Sequence, residues 1–425
     1  SVGGFGPDSE DIIKCGSYTG NASGTGPEIN LGFEPQWLFV KNADNSSSDW
    51  LILDVMRGWG MGDADIFLEA NTTGADQGSQ NWVDITPNGF KITNANGQIN
   101  GSGQKHIYIA IRRGPLNTPT SGTDVFSTLA YTGNGQSSRS YNVGSNVCDM
   151  LHIRARANSS YVYPNISTRL VNEGHKTSGS NPKVTISHRF DKQNGIRETG
   201  FENTRNQSSE TFIMHSWSRA PGYFDIVNFT GNGSNRQLDH NLVVTPEMMW
   251  VKCRSDFFNW CVYHKDLDAS NPGTKYLFLD TTGGVGTTNE LWNGGNYPEG
   301  PNKDTFHIGV NNNVNKNNET YIAFLFASAS GVSKVGSVSH SFNSTTNVDC
   351  GFSSGARFVM VKSTASGEWR VWDSTRGIVS GNDPYFHWDD DAVEITNGDL
   401  IDPYSGGFAL SPSFYTDTYI FYAVA

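Results

Sequence analysis

Apolar and polar residues alternate along most of the chain in short runs, and Gly, Asn, Asp or Pro bound each run. QWLFVKN, DWLILDVMRG, GFKIT (Gly89 to Thr93), TFHIG (Thr305 to Gly309) and GFALS (Gly407 to Ser411) are examples. A period of two sends successive side chains to opposite faces, so each run predicts a β-strand with one buried face. No stretch sustains apolar residues at i, i+3, i+4 and i+7, and no long amphipathic helix is expected.

The runs recur in a fixed order. An aromatic residue before a Gly/Asn turn reads YTGN at Tyr18, YTGN at Tyr131, FTGN at Phe229 and, weakly, SFNS around Phe342, at spacings of 113, 98 and 113 residues. A pair of strands follows: QWLFVKN with DWLILDVMRG, MMWVKCR with NWCVYHKDLD, and RFVMVKS with EWRVWDSTRG. Trp50, Trp260 and Trp369 thereby take equivalent places and are expected to be largely buried; the second copy has MLHIRAR and no matching Trp. Each copy closes on one more strand, HIYIAIRRGP, TFIMHSWSRAPG, TYIAFLFAS and TYIFYAVA. A period of roughly 100 residues suits one small sandwich and is about twice that of a propeller blade. The expected fold is all-β, with four tandem antiparallel β-sandwiches of jelly-roll or concanavalin-like type at 1–115, 116–222 (divergent), 223–330 and 331–425.

LGFEPQWLFVKN, DWLILDVMRG, GFKIT and HIYIAIRRG together resemble a repeated module of tail and appendage proteins in marine bacteriophages, cyanophages especially. The resemblance covers essentially the whole chain. It implies a lectin-like sandwich, a virion location and a structural or host-contact role, and it carries no catalytic residues with it.

Composition narrows the partners. Of 425 residues only 17% are charged and 12% are aromatic, and the formal net charge is −12. Without a basic stripe, capture of nucleic acid is not expected. Arg154 and Arg156 alternate in HIRAR and are expected to lie on a solvated strand face. The longest apolar runs fall far short of the roughly 20 residues that span a bilayer, so no membrane insertion is expected. Five cysteines, Cys15, Cys148, Cys253, Cys261 and Cys350, lack zinc spacing and are expected as free thiols, in keeping with assembly in a reducing host cytoplasm. The opening SVGGFGPDSE has neither basic head nor apolar core. A processed chain or a fragment, with no signal peptide at this start, is the expectation.

Candidate chemistry is sparse. Asp54 and Arg57 in LDVMRG recur as Asp373 and Arg376 in WDSTRG, spaced to pin a turn by an ion pair, while the third copy has His264 and Leu267 there. Asp389, Asp390 and Asp391, and Asp63 with Asp65, could offer oxygen ligands to calcium but lack the EF-hand pattern; solvated acidic turns are the plainer expectation, and no other cofactor is implied. Rings among Gly, Asn and Asp are the better binding signal, because sugars stack apolar faces on them. The glycan-binding candidates are Trp59, Trp82, Trp292, Tyr297, Tyr385 and His387; the alternative is that each ring seals one end of a sandwich. No HExxH helix, P-loop or dinucleotide fingerprint occurs.

The expected function is that of a non-enzymatic virion protein of a phage tail fibre, appendage or surface fibre. Its expected partners are copies of itself, other virion proteins and a host surface glycan. A polysaccharide-degrading tailspike enzyme and a capsid decoration or cellular surface-fibre subunit are the alternatives.

Overall fold

The computed structural model describes residues 12–60, 65–114 and 117–425. Strands dominate, and α-helix is confined to single turns such as Gly97–Asn100, Asn203–Asn206 and Asn312–Asn315. The first large sheet is antiparallel and runs in the order opening strand Ile13–Thr19, closing strand Lys105–Arg112, inner strand Pro35–Asn42, fourth strand Leu51–Asp54 and fifth strand Asp65–Glu69, with Gln77–Gln80 at its edge. That order occurs three more times. It is built next from Phe126–Thr132, Thr211–Trp217, Met150–Ala155, Asn165–Thr168 and Val171–Lys176, then from Phe224–Thr230, Thr320–Phe326, Met248–Cys253, Cys261–His264 and Lys275–Phe278. The last set uses Ser333–His340, Asp417–Val424, Phe358–Ser363, Arg370–Asp373 and Phe386–His387.

A small antiparallel sheet accompanies each large one. In the first set it comprises Glu28–Asn30, Gly89–Ile92 and Val83–Thr86, and the Phe90 ring of that sheet meets Tyr18 and Tyr108 of the large sheet edge-on. The third core is made likewise, from Met249, Val251, Tyr263 and Leu325 on one side and Phe306 and Ile308 on the other. These are sandwiches in which β-branched and aromatic residues fill the space between sheets.

By internal contacts the chain divides into two units. One holds residues up to 116 with 168–172 and 189–192; the other holds 117–167, 173–188 and 193–425. The expected boundary at Pro115 falls outside the described residues, whereas 222 and 330 lie inside the second unit. That unit ends near where it begins: a Cβ added to Gly122 would come within 2.0 Å of the Ala425 carbonyl oxygen.

The TGN turns have a definite cause. Each helical turn ends on a buried asparagine whose Oδ1 accepts from the backbone N–H of the turn's own Asn: Asn21 to Asn100 at 2.8 Å, Asn134 to Asn206 at 2.9 Å and Asn232 to Asn315 at 2.9 Å. Gly is required before it, since a Cβ on Gly20 would sit 2.3 Å from the Gly101 oxygen. The fourth set departs from this plan. Strand register puts Val338 in the place of Tyr18, Tyr131 and Phe229, while Phe342, the expected landmark, is 53% exposed. SFNS imitates the motif four residues out of register.

Trp50, Trp260 and Trp369 do occupy one place. Each backbone carbonyl accepts from the residue after the fifth strand, from Ala70, Leu279 and Trp388 respectively. Trp260 and Trp369 are buried, but Trp50 is only half-buried.

Candidate functional site

Inner strands carry one cation each, at Lys41, Arg154, Lys252 and Lys362, aligned by their pairing with Ile107, Ile213, Ile322 and Ile420. Within the second unit these cations hold the sheet sets together. Lys252 donates to Ser180 O of the second set at 3.0 Å, Lys362 to Thr282 O of the third at 3.1 Å, and Arg154 to Asp390 O of the fourth at 3.0 Å. A second donor works beside each. Trp260 Nε1 donates to Lys176 O and Trp369 Nε1 to Phe278 O, both at 2.9 Å. Where the second set has Pro164 in place of Trp, the Arg154 guanidinium supplies the missing donor and reaches His387 O at 2.6 Å. Backbone bonds repeat the cycle: Lys183 N to Arg254 O, Val285 N to Thr364 O and Glu394 N to Arg156 O. Third to second, fourth to third and second to fourth, the links close a ring of three.

The ring has an aromatic centre. Trp250 lies 5.9 Å from Trp388, Phe326 lies 5.0 Å from Tyr422, and Phe126 lies 5.3 Å from Phe358, each pair joining different sets. Arg154 is 1% exposed, which corrects its expected place on a solvated face; Arg156 pairs with Glu394 at 2.8 Å. Burial is the largest influence on Arg154, Lys252 and Lys362 and lowers their affinity for protons, and the two lysine amines are pushed down to about 8. Carbonyl oxygens replace the water they lose.

One chain of titratable groups crosses the ring between the second and fourth sets. His152 Nδ1 lies 3.2 Å from His215 Nδ1, His215 Nε2 lies 2.9 Å from Asp373 Oδ2, and Asp373 binds the Arg376 guanidinium, which also reaches Glu394 at 3.2 Å. Burial would lift the Asp373 carboxyl, but Arg376 and His215 outweigh it and hold it well below the usual carboxylate range. Burial keeps both imidazoles neutral, opposed at His215 by Asp373. All four side chains are fully enclosed, so no substrate reaches this His–Asp pair. The first-set counterpart, Asp54 with Arg57 at 2.6 Å, is partly exposed, and at the third-set position His264 is buried neutral, pushed down to about 3 by desolvation.

The sequence-derived loop residues separate widely. Trp59, Trp82, Trp292 and Tyr385 are buried, and the Trp59 and Trp292 N–H groups donate to Val83 O and Lys275 O, so these rings offer no face to a ligand. Tyr297 is half-buried, its hydroxyl accepting from Gln237 and its ring 3.8 Å from His307. His387 is partly buried against Asp390 at 2.8 Å. The three acidic residues diverge: Asp389 accepts from Trp369 N, Asp390 meets His387 and Arg154, and Asp391 meets Lys176 at 2.6 Å and Ser178. Asp65 accepts from the Trp82 and Val83 N–H groups, and Asp63 lies outside the described residues. Among the described residues no three His, Cys, Asp or Glu side chains converge as a metal site would need. None of the five cysteines is in a disulfide, and only Cys15 is exposed.

The second unit also holds an open groove of about 610 Å³ lined by Glu247, Tyr263, Lys265, Asp266, Pro272 and Glu299. Glu247 is held by Lys265 at 2.6 Å and by the Ser328 N–H at 2.7 Å, and burial raises the Asp266 carboxyl above its ordinary value. Polar and open, it can accept hydroxyl hydrogen bonds. Sequence reasoning missed both groove and ring, although one signal for the ring was present: a lone Lys or Arg in each otherwise apolar inner strand.

Among known proteins, neither the curated sequences nor the solved structures yield a match to this chain. A protein family does, over residues 8–115 and 121–425, nearly the full length. The chain belongs to that family, described as a domain of unknown function, DUF7483.

Proposed function

We propose that the chain is a non-enzymatic structural protein of a bacteriophage tail fibre, appendage or comparable surface fibre, assembled in the host cytoplasm. The observation that carries the structural half of this reading is where the recurring polar side chains go. Arg154, Lys252, Lys362, Trp260 and Trp369 all donate to backbone carbonyls of a neighbouring sheet set, so the repeated chemistry serves cohesion. The phage half rests on the resemblance of the strand motifs. Immunogold electron microscopy of native particles tests it: label on a tail or appendage is expected, and label confined to a cell surface would overturn the virion assignment.

Contact with a host glycan is assigned to the groove beside Glu247 and Asp266, the open polar concavity that hydroxyl groups can enter. The same carboxylates favour the tailspike enzyme as the second reading, since a carboxyl raised by burial is what a general acid requires. Incubation with host-envelope polysaccharide separates the two. Binding lost in Glu247→Gln without new reducing ends supports attachment; oligosaccharide release abolished by Asp266→Asn establishes hydrolysis.

A further inference from the structure

The outward face of the first large sheet has counterparts in every other set. Register aligns Trp37 with Met150, Met248 and Phe358, Phe39 with His152, Trp250 and Met360, and Ile109 with His215, Phe324 and Tyr422. Every one of those nine counterparts is 1% exposed or less, because it faces the ring. In the first set the same positions are more exposed. Ile107 and Ile109 are each 37% exposed and Ile13 is 48% exposed, while Trp37, Phe39, Trp50 and Ile52 are half-buried. Apolar residues so contiguous on one sheet face mark an interface.

The bonding groups are unused as well. Among the described residues Lys41 donates within its own set, to Asn45 O and Ser48 O, matching the bonds of Lys252 to Phe258 O and Lys362 to Gly367 O, and makes no donation to a neighbouring set. Trp50 Nε1 has no counterpart of the Trp260 and Trp369 bonds among the described residues. The first set thus keeps the donors and the apolar face of a ring member without a ring.

We propose that three copies of this chain associate through their first sheet sets, building between chains the threefold ring that the second, third and fourth sets build within one. Each link in that ring is head-to-tail, with donors on one set and acceptor carbonyls on the next. Such a heterologous contact closes only at the number its rotation dictates, and in the second unit that number is three. Trp50 and Lys41 of one copy meet, in the next, the carbonyls of Glu69 and Thr73, which hold the places of Phe278 and Thr282. The proposal stands apart from the appendage reading, since it depends on sheet geometry and not on where the protein works.

Sedimentation equilibrium of the full chain at micromolar concentration tests it. A mass three times that of one chain is expected, falling threefold to the monomer in Ile109→Asp with the circular dichroism of the folded protein retained. A wild-type monomer or dimer overturns the proposal, as does a trimer that survives Ile109→Asp.

Discussion

Two ion pairs of one sequence pattern show what burial does to a charge. Asp373 and Arg376 are fully enclosed, whereas Asp54 and Arg57 keep about a fifth of their side chains in solvent. Removing one partner of an enclosed pair strands the other charge without water. Asp373→Asn is therefore expected to cost about 3–5 kcal/mol and Asp54→Asn no more than about 1 kcal/mol in urea unfolding. Equal costs would refute the contrast. The pairs themselves were legible from DxxR, because three residues suffice to set a turn. The fate of Arg154 was not legible, since its partners lie more than 230 residues away and a period-two pattern reports which face a residue is on, not what covers that face. The acidic run misled for a related reason: adjacent carboxylates suggest one cation, yet Asp389, Asp390 and Asp391 each turn to a different protein donor. Stripping divalent ions with chelator is accordingly expected to leave Tm unchanged, and a fall of several degrees would point to a bound ion instead.

Among the elements, closing strands were the easiest to read. TYIAFLF and DTYIFYAV are apolar almost without break because each lies between two strands of its sheet and is covered on both faces. The continuous run KHIYIAIR in the first set reads the same way, yet its Ile107 and Ile109 are exposed, a mismatch between sequence and surroundings invisible until the surroundings are known. The weak SFNS landmark failed because a turn motif carries no register; cross-strand pairing assigned its place to Val338. Trp369→Phe keeps the ring and deletes one buried N–H donor, leaving Phe278 O unpaired. A loss of about 1–3 kcal/mol is expected by thermal or urea unfolding. The same change at half-buried Trp50, which has no such acceptor among the described residues, is expected to be nearly neutral in the Ile109→Asp background. A large loss there would mean that Trp50 has a partner inside the chain.

For the whole molecule, the all-β sandwich character was legible in strand length and turn composition, and the ring was not, because nothing in a repeat says whether its copies line up or close on themselves. Burial has a collective electrostatic effect. His106, His152, His175, His188, His215, His240, His264, His307 and His340 are all buried and all lowered in pKa, with desolvation the leading cause at each. Their folded values lie below the unfolded value of about 6.5, so below that pH the unfolded chain binds more protons. Stability is then fully present above pH 6.5 and lost as pH falls. Glu198, raised to about 7, Asp280 and Asp383, raised to about 6, and Asp266, Asp389 and Asp402, also raised by burial, pull the opposite way, but they are six against nine. Tm is expected to hold steady from pH 8 to 7 and to drop progressively from 6.5 to 5; a flat profile across that window would rule the histidines out as the cause.

Meeting of the second unit's two ends, where Gly122 abuts the Ala425 carbonyl, sets how the unit can bear load. Three sandwiches strung in line would lengthen a shaft, but a ring whose entry and exit coincide adds almost nothing to end-to-end reach. A circular permutant that joins residue 425 to residue 117 by a short glycine linker and opens in the exposed turn at Gly233 should then fold to the same Tm within a few degrees. Collapse of that permutant would show that the entry and exit strands depend on their existing order.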